Sequence, residues 1–296
     1  MHRALLLLLL LASVAALVAW RVATLAPSAA SNGTMRVVAT FYPLADFAER
    51  IGGGHVSVRT ITPAGSEPHD YEPTPRDLLA AREASVVLMN GGLDAWMDRI
   101  VPDLKRGGVR VARMTDVIPS IEKDPHAWLD PVLAERMVAA IQDAFVSADP
   151  AHAEEYRANG ERVVSDLRGL NDEYVKGLAT CASRTVVVSH DAVGYLGARY
   201  GLRILPIAGL SPDEEPSPRR MTEIASLARA AGAHVIFFEE LVSPKLAETI
   251  AREIGARTDV LDPIEGLTEN KKATGANYFT LMRQNLDALR SALLCQ

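Results

Sequence analysis

The chain has 296 residues, of which 48% are hydrophobic and 23% charged, a globular composition long enough for two domains of ordinary size that excludes a disordered chain. A formal net charge of -6 and a sequence pI near 5.7 give no support to a nucleic-acid partner, which needs a basic face.

Met1-His2-Arg3 precedes an apolar run from Ala4 to Trp20 broken only by Ser13. As a helix this run would be about 25 Å long, between the core of a signal peptide and a short membrane span. Export is therefore expected, to a periplasmic or other extracytoplasmic location. Residues 1–34 are either a signal peptide or an uncleaved membrane anchor with a short linker. The small residues from Ala26 to Ser31 suit a signal peptidase and Arg21 suits an anchor. No cysteine follows the run, so a lipid anchor has no support.

Beyond this leader, strands and helices alternate. Arg36 to Thr40 reads as a strand and Phe41 to Ile51 as a helix ended by Gly52 to Gly54; Val56 to Ile61 is the next strand, leading into a proline-rich loop. Arg76 to Glu83 is a short helix, Ser85 to Met89 a strand closed by Asn90-Gly91-Gly92, Leu93 to Leu104 an amphipathic helix and Val109 to Arg113 a fourth strand. Val132 to Val146 is helical. Asp149-Pro150 then opens a longer helix running to about Leu178, with Tyr156, Val163, Leu167, Leu170, Tyr174 and Leu178 on one stripe. About 30 residues of helix would span about 45 Å, enough for a connecting strut; two helices broken at Gly160 or Gly169 are the alternative.

The second half repeats the alternation, with strands Thr185 to Ser189, Arg203 to Ile207, His234 to Phe238 and Arg257 to Leu261, and helices Ala192 to Tyr200, Pro218 to Ala231, Pro244 to Ile254 and Tyr278 to Leu294. The fold class expected is α/β: two similar α/β domains with mostly parallel sheets, residues 35–148 and 181–296, joined by one long connecting helix at 149–180. Ligands in such folds gather beyond the carboxyl ends of the strands. Three histidines stand at such places. His69 lies in Ser-Glu-Pro-His-Asp-Tyr, His126 in Asp-Pro-His-Ala-Trp-Leu-Asp-Pro, and His190 directly after a β-branched run. Three imidazoles at strand-to-helix junctions point to one shared metal ion. His2, His55, His152 and His234 lie in the leader, a turn, a helix start and a strand start, and read as structural.

Four motifs in order, Pro63 to Pro75, Asp124 to Pro131, His190 to Tyr195 and Leu261 to Ile264, resemble those of the zinc- and manganese-binding solute-binding proteins of bacterial ABC importers. The resemblance runs from about Arg36 to the end. It implies a divalent metal in the cleft between the domains, delivered to a membrane permease by a monomer that catalyses no reaction. It also implies the ligands His69, His126, His190 and an acidic residue that maps onto Asp262; from the residues themselves, Glu239 or Glu240 at the end of another strand is the alternative to Asp262. Three histidines favour Zn²⁺, and Mn²⁺ is the alternative ion. The long histidine- and acid-rich loop of many zinc members has no counterpart, since Asp116 to Lys123 is short and carries no histidine.

The chemistry fits the cation. Zn²⁺ takes imidazole nitrogen and carboxylate oxygen at about 2.0–2.2 Å, usually with four ligands. Asp124, Asp130 and Asp191 are candidates for holding the far nitrogens of the rings, and Asp130 is equally placed to cap the helix at Pro131. A zinc hydrolase is the enzyme alternative, but no His-Glu-x-x-His, Gly-x-Ser-x-Gly or phosphate-binding glycine loop is present. A metal-binding adhesin on the same fold is the third reading. Cys181 and Cys295 are either a disulfide joining the start of the second half to the C-terminus or two separate buried thiols.

Overall fold

The computed structural model describes residues 33–119 and 124–296; the expected leader and the end of the Asp116 to Lys123 loop lie outside the described residues. Two four-stranded sheets are present. The first contains β1 (Met35–Ala39), β2 (Val56–Thr60), β3 (Val86–Met89) and β4 (Arg110–Arg113), in the order β2-β1-β3-β4. The second contains β5 (Thr185–Val188), β6 (Arg203–Pro206), β7 (Val235–Phe238) and β8 (Arg257–Val260), in the order β6-β5-β7-β8. Every pairing is parallel, so the two sheets repeat one topology. The central strands are buried on both faces, as Val86, Val87, Leu88 and Met89 of β3 show. Continuous apolar runs are what parallel sheets covered by helices require.

The first half carries the helices α1 (Tyr42–Gly52), α2 (Pro75–Glu83), α3 (Val101–Arg106) and α4 (Pro131–Ala148), and α5 (Ala153–Gly177) follows. The second carries α6 (Gly194–Tyr200), α7 (Pro218–Ala230), α8 (Lys245–Ile254), α9 (Glu269–Ala273) and α10 (Tyr278–Leu293). Several start where proline stands in the first turn behind a capping side chain. Thr74 and Asp77 form a reciprocal capping box on α2, Asp130 accepts the Val132 N–H on α4, and Ser217 accepts the Arg220 N–H on α7. Each cap satisfies an amide that the helix itself leaves unpaired.

α5 is the connecting helix. At 25 residues it is about 38 Å long, and it runs unbroken through Gly160 and Gly169. Val163, Leu167, Leu170 and Tyr174 form its buried stripe, as their spacing requires. Gly160 permits close approach to α4, since a Cβ there would lie 2.2 Å from Oε1 of Gln142. The expected start at Asp149 is corrected by one turn: Pro150–His152 is a 3₁₀ turn, and the α-helix begins at Ala153. The expected helix from Leu93 to Leu104 is also divided, into a 3₁₀ segment Ala95–Arg99 and α3. Pro102 lacks the amide needed to continue a preceding helix, while Asp94 turns back to accept the N–H groups of Asn90 and Gly91.

One large hydrophobic cluster joins residues of both sheets to α5 and α10, and Met35–Gln296 forms one compact unit. Cys181 and Cys295 form a disulfide, flanked by a short antiparallel bridge in which Ala182 and Ser183 donate to the carbonyls of Leu294 and Leu293. The end of the connecting helix is thereby tied to the C-terminus. Among the described residues, no helix is long and apolar enough to cross a membrane.

Candidate metal centre

Four side chains from loops that follow β2, β4, β5 and β8 converge on one point: His69, His126, His190 and Glu265, each with a donor atom within 4.8 Å of the others. Nε2 of His126 is the hub. It lies 3.3 Å from Nε2 of His69, 3.4 Å from Nε2 of His190 and 2.9 Å from Oε1 of Glu265. Oε1 of Glu265 also approaches Nε2 of His69 at 3.2 Å and Nε2 of His190 at 3.8 Å. Three of the four residues are fully enclosed; only the His69 side chain keeps some exposure, at 11%.

Each loop is built to hold its ligand. Asp124 Oδ1 accepts both the backbone N–H and Nδ1–H of His126, at 2.8 and 2.7 Å. The Asn90 amide donates to the Pro125 carbonyl from below. Glu239 Oε1, at the end of β7, lies 2.6 Å from Nδ1 of His190 and also accepts from the Ser189 hydroxyl. Carboxylates on the Nδ1 side leave the Nε2 lone pairs of both rings facing inward. Glu265 sits on a turn whose Pro263 carbonyl accepts from Nε1 of Trp128 at 2.7 Å, and the Trp128 carbonyl in turn accepts from the Tyr278 hydroxyl. Gly65 donates to the Leu267 carbonyl, joining the His69 loop to the Glu265 loop.

Inward-facing lone pairs beside a carboxylate repel one another unless a positive charge sits among them. In the metal-free chain that charge is a proton. Burial alone would depress His126, but hydrogen bonds and charges from Asp124 and Glu265 outweigh it and raise its pKa to about 9. Burial likewise opposes ionisation of Glu265, yet its hydrogen bonds with His126 and His69 hold it well below the usual carboxylate range. Glu67, at the mouth of the cluster, goes the other way: burial and the neighbouring charge of Glu265 push it up to about 9. Oε2 of Glu265 is buried without an N–H or hydroxyl donor, and the raised Glu67 carboxyl hydrogen-bonds with the Glu265 side chain. Three imidazole nitrogens and a carboxylate are a donor set that suits a divalent transition metal. Outside, a hollow of about 540 Å³ abuts Glu67 and Ser189 and carries Asp70, Asp213 and Glu215 on its wall.

The structure thus brings the three expected histidines together, and it places Glu265 beside them where the sequence pointed to Asp262. Asp262 is engaged elsewhere. Its Oδ2 is 2.6 Å from Nζ of Lys271, and its Oδ1 accepts the Ile264 N–H at 2.7 Å. Glu240 is also held by Lys271, at 3.0 Å. Of the carboxylates expected behind the rings, Asp124 is there, and Glu239, expected as an alternative ligand, stands behind His190 instead. Asp130 caps α4 and takes a paired contact from Arg199, at 2.8 Å, and Asp191 follows His190 with its backbone N–H given to Gly209. Glu265 was legible only as the next acid after the strand-ending Asp-Pro, three residues on; Ile264, with φ of 58°, redirects the chain in a way that spacing does not reveal. His55 and His152 stack on each other, each against a carboxylate of its own, Glu155 and Asp149.

Residues 37–292 match the family model for the periplasmic zinc-uptake complex component A, ZnuA. The chain is 35% identical over 288 residues to the high-affinity zinc uptake system protein ZnuA of Bacillus subtilis (strain 168), with 90% of each chain covered. It is 32% identical over 312 residues to the zinc-binding protein AdcA of Streptococcus pyogenes, covering 96% of this chain but only 60% of that longer relative. Among solved structures, the Zn(II)-bound ZnuA-like domain of Streptococcus pneumoniae AdcA is similar with a TM-score of 0.79 and 34% identity, over 88% of this chain and 99% of that one. With its two parallel sheets, its long connecting helix and this match over most of its length, the chain belongs to the family of periplasmic zinc-uptake solute-binding proteins, component A.

Proposed function

We propose that this chain captures Zn²⁺ outside the cytoplasm and delivers it to the permease of an ABC importer, as a binding protein with no catalytic step. The observation that carries the reading is the inward convergence of three Nε2 atoms on Oε1 of Glu265. His69, His126, His190 and Glu265 are the proposed ligands. Asp124 and Glu239 orient the rings of His126 and His190, and His126 must lose its extra proton before its Nε2 can accept the ion. Three neutral imidazoles and one carboxylate around Zn²⁺ leave a net charge of about +1, compensated by the acids behind the rings. The acidic hollow beside Glu67 attracts cations toward the only proposed ligand that keeps exposure, His69.

The proposed division of labour places residues 35–148 and 181–296 as two lobes and 149–180 as the strut between them. Ligands drawn from both lobes make ion binding a closure of one lobe on the other, while the packed strut restricts the swing. Zinc is favoured over manganese because Mn²⁺ suits oxygen-rich, octahedral sites. The test is elemental analysis of the protein purified without added metal, wild type beside His190→Ala. About one zinc per wild-type chain and a strongly reduced content in the variant is the expected result. Equal metal in both, or none in either, would refute the reading.

A further inference from the structure

We propose that Lys271 is a positioning residue that sets the metal preference of the centre, by holding Asp262 and Glu240 so that Glu265 alone presents carboxylate oxygen to the ion. The inference rests on the metal-binding reading above. Lys271 projects from α9, a single helical turn capped by Thr268. Its ammonium lies 2.6 Å from Oδ2 of Asp262 and 3.0 Å from Oε2 of Glu240, and its side chain is 16% exposed. Those two acids belong to different strand ends. Glu240 follows Glu239, the residue that holds Nδ1 of His190, and Asp262 opens the turn that carries Glu265.

One ammonium therefore couples the two acidic loops of the second sheet. The Asp262 turn is otherwise costly. Ile264 is β-branched, fully buried and in the left-handed region at φ 58°, a conformation that persists only where its surroundings over-determine it. Asp262 supplies that constraint through the Ile264 N–H, and Asn285 clasps both the N–H and the carbonyl of Asp262, at 2.9 and 2.6 Å. Without Lys271, Asp262 and Glu240 become two uncompensated carboxylates on the loops beside a divalent ion. Mutual repulsion loosens the loops, and more oxygen donors become available to the cation. Both changes favour a softer-fitting, oxygen-richer shell, which suits Mn²⁺ better than Zn²⁺.

The experiment compares wild type with Lys271→Met, Lys271→Arg, Asp262→Asn and Glu265→Gln in the whole chain. Competition titrations give the Zn²⁺ and Mn²⁺ affinities, and the visible bands of bound Co²⁺, intense in four-coordinate and weak in six-coordinate sites, report the geometry. Lys271→Met is expected to weaken Zn²⁺ by up to about 10-fold, the lower end of the range for groups bonded directly to metal ligands, because Lys271 acts through Asp262 and Glu240, with a smaller loss for Mn²⁺ and weaker Co²⁺ bands. Lys271→Arg should restore the preference. Asp262→Asn keeps an acceptor for Ile264 but breaks the ion pair, and carries the test if Lys271→Met does not fold. Variants that lose thermal stability but keep the wild-type Zn²⁺ to Mn²⁺ ratio and Co²⁺ bands would reduce Lys271 to a structural ion pair and overturn the proposal. Glu265→Gln separates the two failures: if it retains wild-type zinc affinity, the metal-site reading itself is wrong, whatever Lys271 does.

Discussion

His126 lies at the centre of the proposed metal site, and its protonation is expected to link pH to metal binding. Its pKa in the metal-free fold is raised from 6.5 to about 9, so a proton must leave before Nε2 can bind an ion. Zinc affinity is therefore expected to fall as pH drops below about 9, approaching tenfold per unit while this one proton is displaced. The same shift stabilises the metal-free fold: its contribution is fully present below 6.5 and is lost as pH rises through about 9. Isothermal titrations with zinc at pH 8 and pH 6.5, together with denaturation of the metal-free chain at both, check both signs; an affinity independent of pH would contradict the assignment. Glu239→Gln keeps the size of the side chain but replaces a carboxylate beside His190 Nδ1 with a neutral amide. Zinc affinity should drop about 10–100-fold while far-UV circular dichroism stays unchanged.

At the scale of elements, helix starts and loop ends do separate work. Asp130 was a candidate for both, and the structure assigns it to the helix start, with Arg199 across from it. Asp130→Ala should lower stability by about 1–3 kcal/mol, from the lost cap and a partly buried ion pair, and leave the zinc content unchanged; urea denaturation and elemental analysis read the two effects apart. Strands β1 to β8 were legible within one or two residues because the central ones, buried on both faces, are written as short apolar runs, and the half-exposed edge strands follow the same strand-helix alternation. Leu93 to Leu104 was misread because Asp94 spends its side chain on the preceding loop, a contact that no helical period records. Similarly, α9 is one turn long and has no buried residue, so no apolar repeat announces it.

At the scale of the whole molecule, the Cys181–Cys295 disulfide closes a segment of 114 residues, nearly all of the second half. Replacing both cysteines with serine should lower stability by about 2–5 kcal/mol, measured by chemical denaturation of the oxidised protein beside the variant; equal midpoints would mean that the bond does not constrain the unfolded chain. The bond closes over a core already continuous between the sheets, α5 and α10. Tyr174 illustrates that continuity, as its hydroxyl donates to the Met282 carbonyl from within the connecting helix.

The sequence by itself determined the two repeated α/β halves, the connecting helix and the three histidines, because hydrophobic period and strand-end position are local properties of a chain. It pointed to the wrong acid beside them, Asp262, with Glu239 or Glu240 in reserve. Asp262 and Glu265 lie three residues apart, and both follow the same strand. Only the tertiary structure shows which stands beside the imidazoles: Lys271, brought back by α9, engages the first, while the positive-φ turn at Ile264, pinned by Trp128 from the other half, delivers the second to them. The pairing of the cysteines was settled in the same way. A contact across 114 residues depends on where the core places the end of α5 and the C-terminus, and that placement is a property of packing rather than of any stretch of sequence.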